Sequence, residues 1–453
     1  MSTPTDVDTA GLVARLENVP FSRWHAKARI VMGSATFFDA FDALSLAFAL
    51  PVLVRSWNIT PTQSGLLLGA SYVGQLAGAL LFSWLAERFG RTRSAAAAVA
   101  LMSFTSLGCA ISGNFHALLA CRLVQGIGIG GEMPVAAAYI SELSRARGRG
   151  RFFMLYEMIF PVGLMAASQT GAWVVPVWGW KAMFLAGGVP GLVITYLLIR
   201  LPESPRWLIS KGRNLEAAEI IKQIEAGAVH RDPAPPRSPA AASTVGRTER
   251  TKWSEVLAPL YRRRTVVVWT LWATAFFVTN SLNNWMPTLY NTVYHLGLQE
   301  SLRAASMTNV AQVAVLLICA FCVDRIGRRN WTAACFVVGG VVLAVLGFGG
   351  AQSILRVMIF ATLGYGIVGS VNAVLYLYTP EIYPTRMRAI GTGLATSWLR
   401  LASAVGPTVV GVMIDAGGID SVFILFAATS IAGALAATLM IETRGRRLEE
   451  IAP

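Results

Sequence analysis

The chain has 453 residues, of which 55% are hydrophobic and only 14% charged, and its mean hydropathy is +0.55. A soluble domain carries about 25% charged residues, so this composition argues against a large soluble protein and for one with many membrane spans. The formal net charge of +14 does not point to nucleic acid, because the arginines sit in short runs between apolar segments, where they can face anionic headgroups.

Residues 1–29 are polar and mixed, with neither the apolar stretch nor the cleavage site of a signal peptide. They are expected to form a cytoplasmic segment. A hydrocarbon core of about 30 Å needs roughly 20 apolar residues in a helix. Twelve segments meet that rule, at about 30–54, 62–86, 94–113, 117–140, 152–175, 181–200, 265–289, 303–323, 331–350, 354–379, 389–413 and 420–441. The prediction is an all-α integral membrane protein with twelve transmembrane helices in two six-helix bundles, 30–200 and 265–441. Between them, 201–264 reads as a cytoplasmic linker. It opens with an amphipathic helix, RWLISKGRNLEAAEIIKQIE, and continues as the flexible run HRDPAPPRSPAAASTVGRTER. Residues 442–453 are a short cytoplasmic tail.

Basic residues set the expected orientation. Arg88, Arg91 and Arg93 follow helix 2, Arg145, Arg147, Arg149 and Arg151 follow helix 4, Arg325, Arg328 and Arg329 follow helix 8, and Arg386 and Arg388 follow helix 10. The alternate loops carry one basic residue apiece or, after helix 11, Asp415 and Asp420. The positive-inside rule then places both termini in the cytoplasm, in the plasma membrane, or the inner membrane of a bacterium. The five cysteines lie in or beside apolar segments and read as packing residues, not as a redox or metal site.

The halves echo each other. LAERFGRTR (85–93) matches CVDRIGRRN (322–330), and Glu142, Arg147 and Arg149 recur as Glu381, Arg386 and Arg388 at a constant offset of 239. A duplicated six-helix unit accounts for both echoes. The charges of these runs, Glu87, Arg88 and Arg91 with Glu142 and Arg147, and Asp324, Arg325 and Arg328 with Glu381 and Arg388, are expected to lock the halves together at the cytoplasmic surface when the far side is open.

Several polar residues lie deep in apolar segments. Asp39 and Asp42 stand one turn apart near the middle of helix 1, on one face. An ionised carboxylate in hydrocarbon must face a wet cavity, pair with a base, or take a proton. Two so close repel when both are charged, which favours a proton on one. The pair is therefore a proton-carrier candidate, the alternative being structural pairing with an arginine. Arg400 is equally deep in helix 11. It either pairs with a helix 1 acid or binds an anionic substrate, to which a planar guanidinium fork is suited. Glu132 on helix 4 reads as a cytoplasmic gate partner for nearby arginines. Glu157 on helix 5 is open between gate and proton coupling. Phe38, Phe41, Gln169, Tyr365, Tyr376 and Trp398, with the helix 7 cluster Asn280, Asn283, Asn284 and Trp285, are candidate walls of a binding chamber. Gly126, Gly128, Gly130 and Gly131 are not a nucleotide loop, since no strand precedes them and no Lys follows; the spacing of Gly126 and Gly130 suits close helix contact.

Taken together, ERFGRTR, DRIGRR, CRLVQGIGIGGEMP (121–134), LPESPRWL (201–208) and PEIYPTRMRAIGTG (380–393) resemble the major facilitator superfamily over the whole chain. FDAFD in helix 1 is similar to the acidic motif of bacterial aromatic-acid/proton symporters, and GGEMPVA resembles the nicotinate-transporter group; sugar porters and organic-ion transporters share the PESPRWL run. The resemblance implies the major facilitator fold and transport by alternating access, with no enzyme activity, cofactor or metal. It also implies a part in proton coupling for Arg122, and a basic residue on helix 11 as in organic-anion carriers. The expected activity is proton-coupled uptake of a small, aromatic carboxylate such as nicotinate or a benzoate. The alternatives are a sugar, polyol or organic-cation transporter, or a non-transporting nutrient receptor. The expected partners are the small organic anion, the proton and the lipid bilayer, without nucleic acid, and the protein is expected to act as a monomer.

Overall fold

The computed structural model describes residues 9–19, 22–143, 158–227, 253–384 and 387–444. Among these residues the regular structure is helical throughout. The α-helices are α1 (Thr9–Asn18), α2 (Arg23–Trp57), α3 (Pro61–Phe89), α4 (Arg91–Ile111), α5 (Phe115–Leu143), α6 (Ile159–Trp178), α7 (Trp180–Ile199), α8 (Pro205–Ser210), α9 (Asn214–Ala226), α10 (Pro259–Thr292), α11 (Leu298–Ile326), α12 (Arg328–Gly347), α13 (Ile354–Glu381) and α14 (Arg388–Thr438). Nine of the described helices, α2, α3, α4, α7, α10, α11, α12, α13 and α14, are long and apolar enough to cross a membrane. Large apolar side chains face outward, Leu80 at 78% exposure and Phe321 at 78% among them. Water would not tolerate such a belt, but lipid does. The fold is all-α and multi-pass.

Two boundaries differ from the sequence expectation. The first long helix, expected from residue 30, begins at Arg23 as α2, and α1 precedes it. Leu12 and Leu16 of α1 pack with Trp207, Leu208, Ile221 and Ile224 in one small apolar cluster, and Arg15 pairs with Glu225 at 2.7 Å. The amphipathic stretch after residue 205 is two helices, because Gly212 takes a left-handed φ of 72° between α8 and α9. The predicted segments 389–413 and 420–441 are helical on either side of a kink at Gly418, where the backbone leaves the helical region (φ 70°), and the two parts are labelled together as α14. The flexible part of the predicted linker and Arg145, Arg147, Arg149, Arg151, Glu157 and Arg386 lie outside the described residues.

Glycine decides how closely α3 and α5 pack. A Cβ on Gly126 or Gly130 of α5 would overlap backbone atoms of Ser71 or Gln75 on α3, and one on Gly78 of α3 would overlap the Ile127 carbonyl. The close approach lets dispersion contacts and main-chain proximity replace a hydrophobic drive that lipid does not supply.

At the face away from α1, the helices before residue 200 meet those after 259. Asp415 Oδ2 accepts hydrogen bonds from Thr62 N at 3.2 Å and Thr62 Oγ1 at 2.7 Å, so a residue of α14 caps the first turn of α3. Arg55 donates to the Asn291 carbonyl at 3.4 Å, and the Arg303 guanidinium lies 4.4 Å from the Trp173 ring centroid. These contacts close this far face. Asp415→Ala is expected to loosen it. Spin labels on the exposed positions Ser56 and His295 should then show a longer-distance population in pulsed dipolar spectroscopy, and an unchanged distribution would count against the closure.

Candidate functional site

Near its middle α2 carries Asp39 and Asp42, both buried. Asp42 Oδ1 accepts from Ser106 Oγ on α4 at 3.0 Å. Arg122 on α5, 1% exposed, donates to the Asp42 main-chain carbonyl at 3.2 Å and to Gln125 Oε1 at 2.7 Å. The predicted coupling residues Asp42 and Arg122 are therefore neighbours, through a main-chain contact and Gln125. Asp39 lies one turn earlier, within electrostatic reach of Glu132, Asp42 and Arg400. Glu132 is not at the membrane surface: it is fully buried and accepts from Thr36 Oγ1 of α2 at 2.9 Å. Its place in α5, opposite α2, sets it beside the acids instead of the surface arginines.

Arg400 is on α14, within electrostatic reach of Asp39. It donates to its own helix at the Thr396 carbonyl, 3.4 Å, and the groups that act on its charge are Tyr376 of α13 and Asp39. Among the described residues no carboxylate forms an ion pair with it. Around it are Asn280 on α10, which donates to Ser403 Oγ of α14, and Asn372 on α13, which donates to Thr279 Oγ1 at 3.2 Å. Trp272 stacks on Phe276, centroids 5.4 Å apart, and meets Tyr376 edge-on at 4.7 Å, so Tyr376, which acts on the Arg400 charge, is one member of an aromatic shelf on α10 and α13. Asn284 links the two sets of helices by donating to the Tyr72 hydroxyl of α3 at 3.3 Å.

The other predicted wall residues are placed differently. Asn283 exchanges hydrogen bonds with Asn309, 2.9 and 3.3 Å, and Tyr365 donates to Gln312, which makes a network within α10, α11 and α13. Trp285 donates to the Pro407 carbonyl at 3.0 Å and packs in the core. Trp398, 37% exposed, lies 5.6 Å from Trp269 beside a groove lined by Ala273, Phe277 and Val405, away from the acids. Phe41 is core, Phe38 is half-buried beside it, and Gln169 on α6 keeps a buried amide nitrogen without a hydrogen-bond partner among the described residues. Sequence reading passed over Tyr72, Ser106, Gln125 and Asn372. Gln125, one turn after Arg122, and Asn372, one turn before Tyr376, were the available signals.

At the face that carries α1, the repeated charge runs adopt repeated geometry. Arg91 pairs with Glu87 at 2.7 Å and Glu142 at 3.0 Å; Arg328 pairs with Asp324 at 2.9 Å and Glu381 at 3.6 Å. Each arginine follows a glycine of positive φ, Gly90 at 112° and Gly327 at 96°, and each helix start is capped by an acid from a distant segment. Glu203 accepts from Arg91 N at 2.9 Å and Glu442 accepts from Arg328 N at 3.0 Å. These pairs stay within their own half of the chain. Arg88 lies over Trp84 and Phe89, and Arg325 and Arg388 form no ion pair among the described residues.

An all-helical membrane protein with charged and amide side chains gathered midway along its helices, and one face closed over them, belongs to the class of solute transporters. The family model for sugar (and other) transporters matches residues 30–453, and the chain belongs to that family, within the major facilitator superfamily. It is 32% identical to the niacin transporter NiaP of Acinetobacter baylyi over 97% of this chain and 99% of that one. It is 28% identical to the putative niacin/nicotinamide transporter NiaP of Bacillus subtilis, over 84% of this chain and 87% of that one. The fold matches the partially occluded inward open conformation of the xylose transporter XylE from E. coli, with a TM-score of 0.74 at 18% identity, covering 94% of this chain and 100% of that one.

Proposed function

We propose that the protein takes up a small organic carboxylate together with a proton, holding the carboxylate on Arg400 and the proton on Asp39. The observation that carries this reading is a deep guanidinium that forms no ion pair among the described residues and lies within electrostatic reach of a buried acid on the other set of helices. An uncompensated charge at that depth is costly. Substrate and Asp39 can neutralise Arg400 in turn: when Asp39 takes a proton, the guanidinium is released to the substrate. A proton with a monocarboxylate carries no net charge, so the loaded carrier crosses its occluded state cheaply. The adjoining aromatic shelf suits a flat acid, and the similarity to niacin transporters supports an aromatic one.

In this reading the chain crosses the membrane twelve times, in bundles of six. Helices α2 to α7 form one. Helices α10 to α13 and the two parts of α14, divided at Gly418, form the other. Both termini are cytoplasmic, by the positive-inside pattern. The charge clusters at Arg91 and Arg328 then belong to the cytoplasmic gate, and the Asp415–Thr62 cap belongs to the outer one. Asp39→Asn is the test. In proteoliposomes it should lose accumulation driven by an inward proton gradient while keeping counterflow exchange, and accumulation equal to wild type would refute the proton's place on Asp39.

A second reading, a sugar or polyol porter, is favoured by the description of the family model and by the xylose transporter fold. A thermal-shift comparison of nicotinate and benzoate with xylose and glucose separates the two. Stabilisation by sugars alone would replace the carboxylate reading.

A further inference from the structure

We infer that an anionic phospholipid docks on the protein from the leaflet at the α1 face, with its phosphate on Arg262 and Arg263 of α10 and the end of one acyl chain in the groove between α10 and the two parts of α14. The groove has a volume of about 490 Å³. Its walls are Ala273 and Phe277 of α10, Trp398, Ala402 and Val405 of the first part of α14, and Leu425 of the second. Two threonines also line it, and both spend their hydroxyl protons on their own helices. Thr274 Oγ1 donates to the Thr270 carbonyl at 2.8 Å, and Thr429 Oγ1 donates to the Leu425 carbonyl at 2.8 Å. Among the described residues that line the groove, only the Trp398 indole is left as a donor, and none is a cation. Such a surface does not suit a small carboxylate. A hydrocarbon chain fills it through dispersion contacts.

The route from the groove to the membrane surface carries the charge that selects the headgroup. Going back along α10, Phe277, Ala273, Thr270, Val266, Arg263 and Arg262 recur at steps of three and four residues, so they share one face of the helix. Val266 and both arginines are exposed, and Thr270 Oγ1 donates to the Val266 carbonyl at 2.9 Å. This end of α10 is at the α1 face, since Thr265 Oγ1 meets the hydroxyl of Tyr383 at 2.9 Å, two residues after Glu381 of the Arg328 cluster. Residues 263 to 273 cover about 15 Å of helix, and one leaflet of a hydrocarbon core about 30 Å thick has the same depth. A phosphate held by the arginines therefore delivers its chain end to the groove. The neighbouring helix is charged alike: α14 opens with Arg388, and Trp398 lies 5.6 Å from Trp269 of α10. Among the described residues Arg262, Arg263 and Arg388 form no ion pair, so their charge is available to a phosphate. The opposite leaflet is disfavoured, because the other end of the first part of α14 carries Asp415, with Asp420 just past the kink.

Native mass spectrometry of the purified full chain tests this, after incubation in detergent with equal amounts of phosphatidylglycerol and phosphatidylcholine of identical acyl chains. The first lipid retained should be phosphatidylglycerol by about tenfold, the scale that two arginines supply. Arg262→Gln combined with Arg263→Gln should bring the ratio close to one. Ala273→Trp, which fills the groove where the stripe enters it, should lower retention of phosphatidylglycerol by about tenfold. Leu80→Trp, at a lipid-facing position on α3, should leave it unchanged. Excess inorganic phosphate should not displace the lipid. Equal retention of the two lipids by the wild type overturns the inference, and this comparison needs no variant. A preference that survives the double arginine substitution overturns the headgroup seat. Retention that survives Ala273→Trp, or falls equally in Leu80→Trp, overturns the groove. Displacement by phosphate would reveal a bare anion site and overturn the lipid as its occupant.

Discussion

Arg400→Ala is expected to abolish stabilisation of the purified protein by nicotinate or benzoate and to cut uptake by two to three orders of magnitude. Truncating one partner of a desolvated charge pair costs about 2–5 kcal/mol, and each 1.4 kcal/mol is a factor of about ten. Arg400→Lys should recover only part of the loss, since an ammonium keeps the charge but not the planar fork. Thermal shift and initial uptake rates check both variants. Unchanged carboxylate binding in Arg400→Ala would remove the basis of the proposed cargo. The folded state should survive the substitution, because Arg400 forms no ion pair among the described residues and its recorded hydrogen bond is to its own helix.

Gly130→Val should do the opposite, disrupting the fold and function together. A Cβ there would overlap both the Cα and the carbonyl oxygen of Gln75, so the obstruction is backbone and not a movable side chain. Overpacking a well-filled contact typically costs about 1–3 kcal/mol, and the rigid obstacle puts this site at or above the top of that range. The expected result in detergent is a clearly lower melting temperature, with much of the protein aggregated on size exclusion. Gly113→Ala is the control, since among the described residues nothing lies within 4 Å of the Cβ it would add. Equal stability of the two variants would show that α3 and α5 do not depend on their close approach.

The charge pattern at the α1 face was legible in sequence because it is repeated. The echo of LAERFGRTR in CVDRIGRRN becomes a repeated turn, glycine then arginine, with Glu203 and Glu442 as equivalent caps. LPESPRWL was visible as a motif, but the role of its acid was not, since Glu203 reaches a helix start more than a hundred residues away. In the interior, reading by depth identified Asp39, Asp42, Arg122 and Arg400 but not their arrangement. Asp42 meets Ser106 and Arg122, Asp39 lies within electrostatic reach of Arg400, and Glu132 joins them from α5.

By itself the sequence determined that this is an all-helical membrane protein of internally repeated build, with charges set deep along its helices. Those features follow from composition, segment length and repetition, which need no third dimension. The rotation of each helix was decided only in the tertiary structure. In water, an apolar stripe tells which side of a helix is inside. In lipid both sides are apolar: on α3, Leu67 is fully buried while Leu80 is 78% exposed, and the stripe is lost. Close packing then sets the rotation, which is why Trp398 lines an outer groove while Arg400, two residues later on the same helix, lies within electrostatic reach of Asp39.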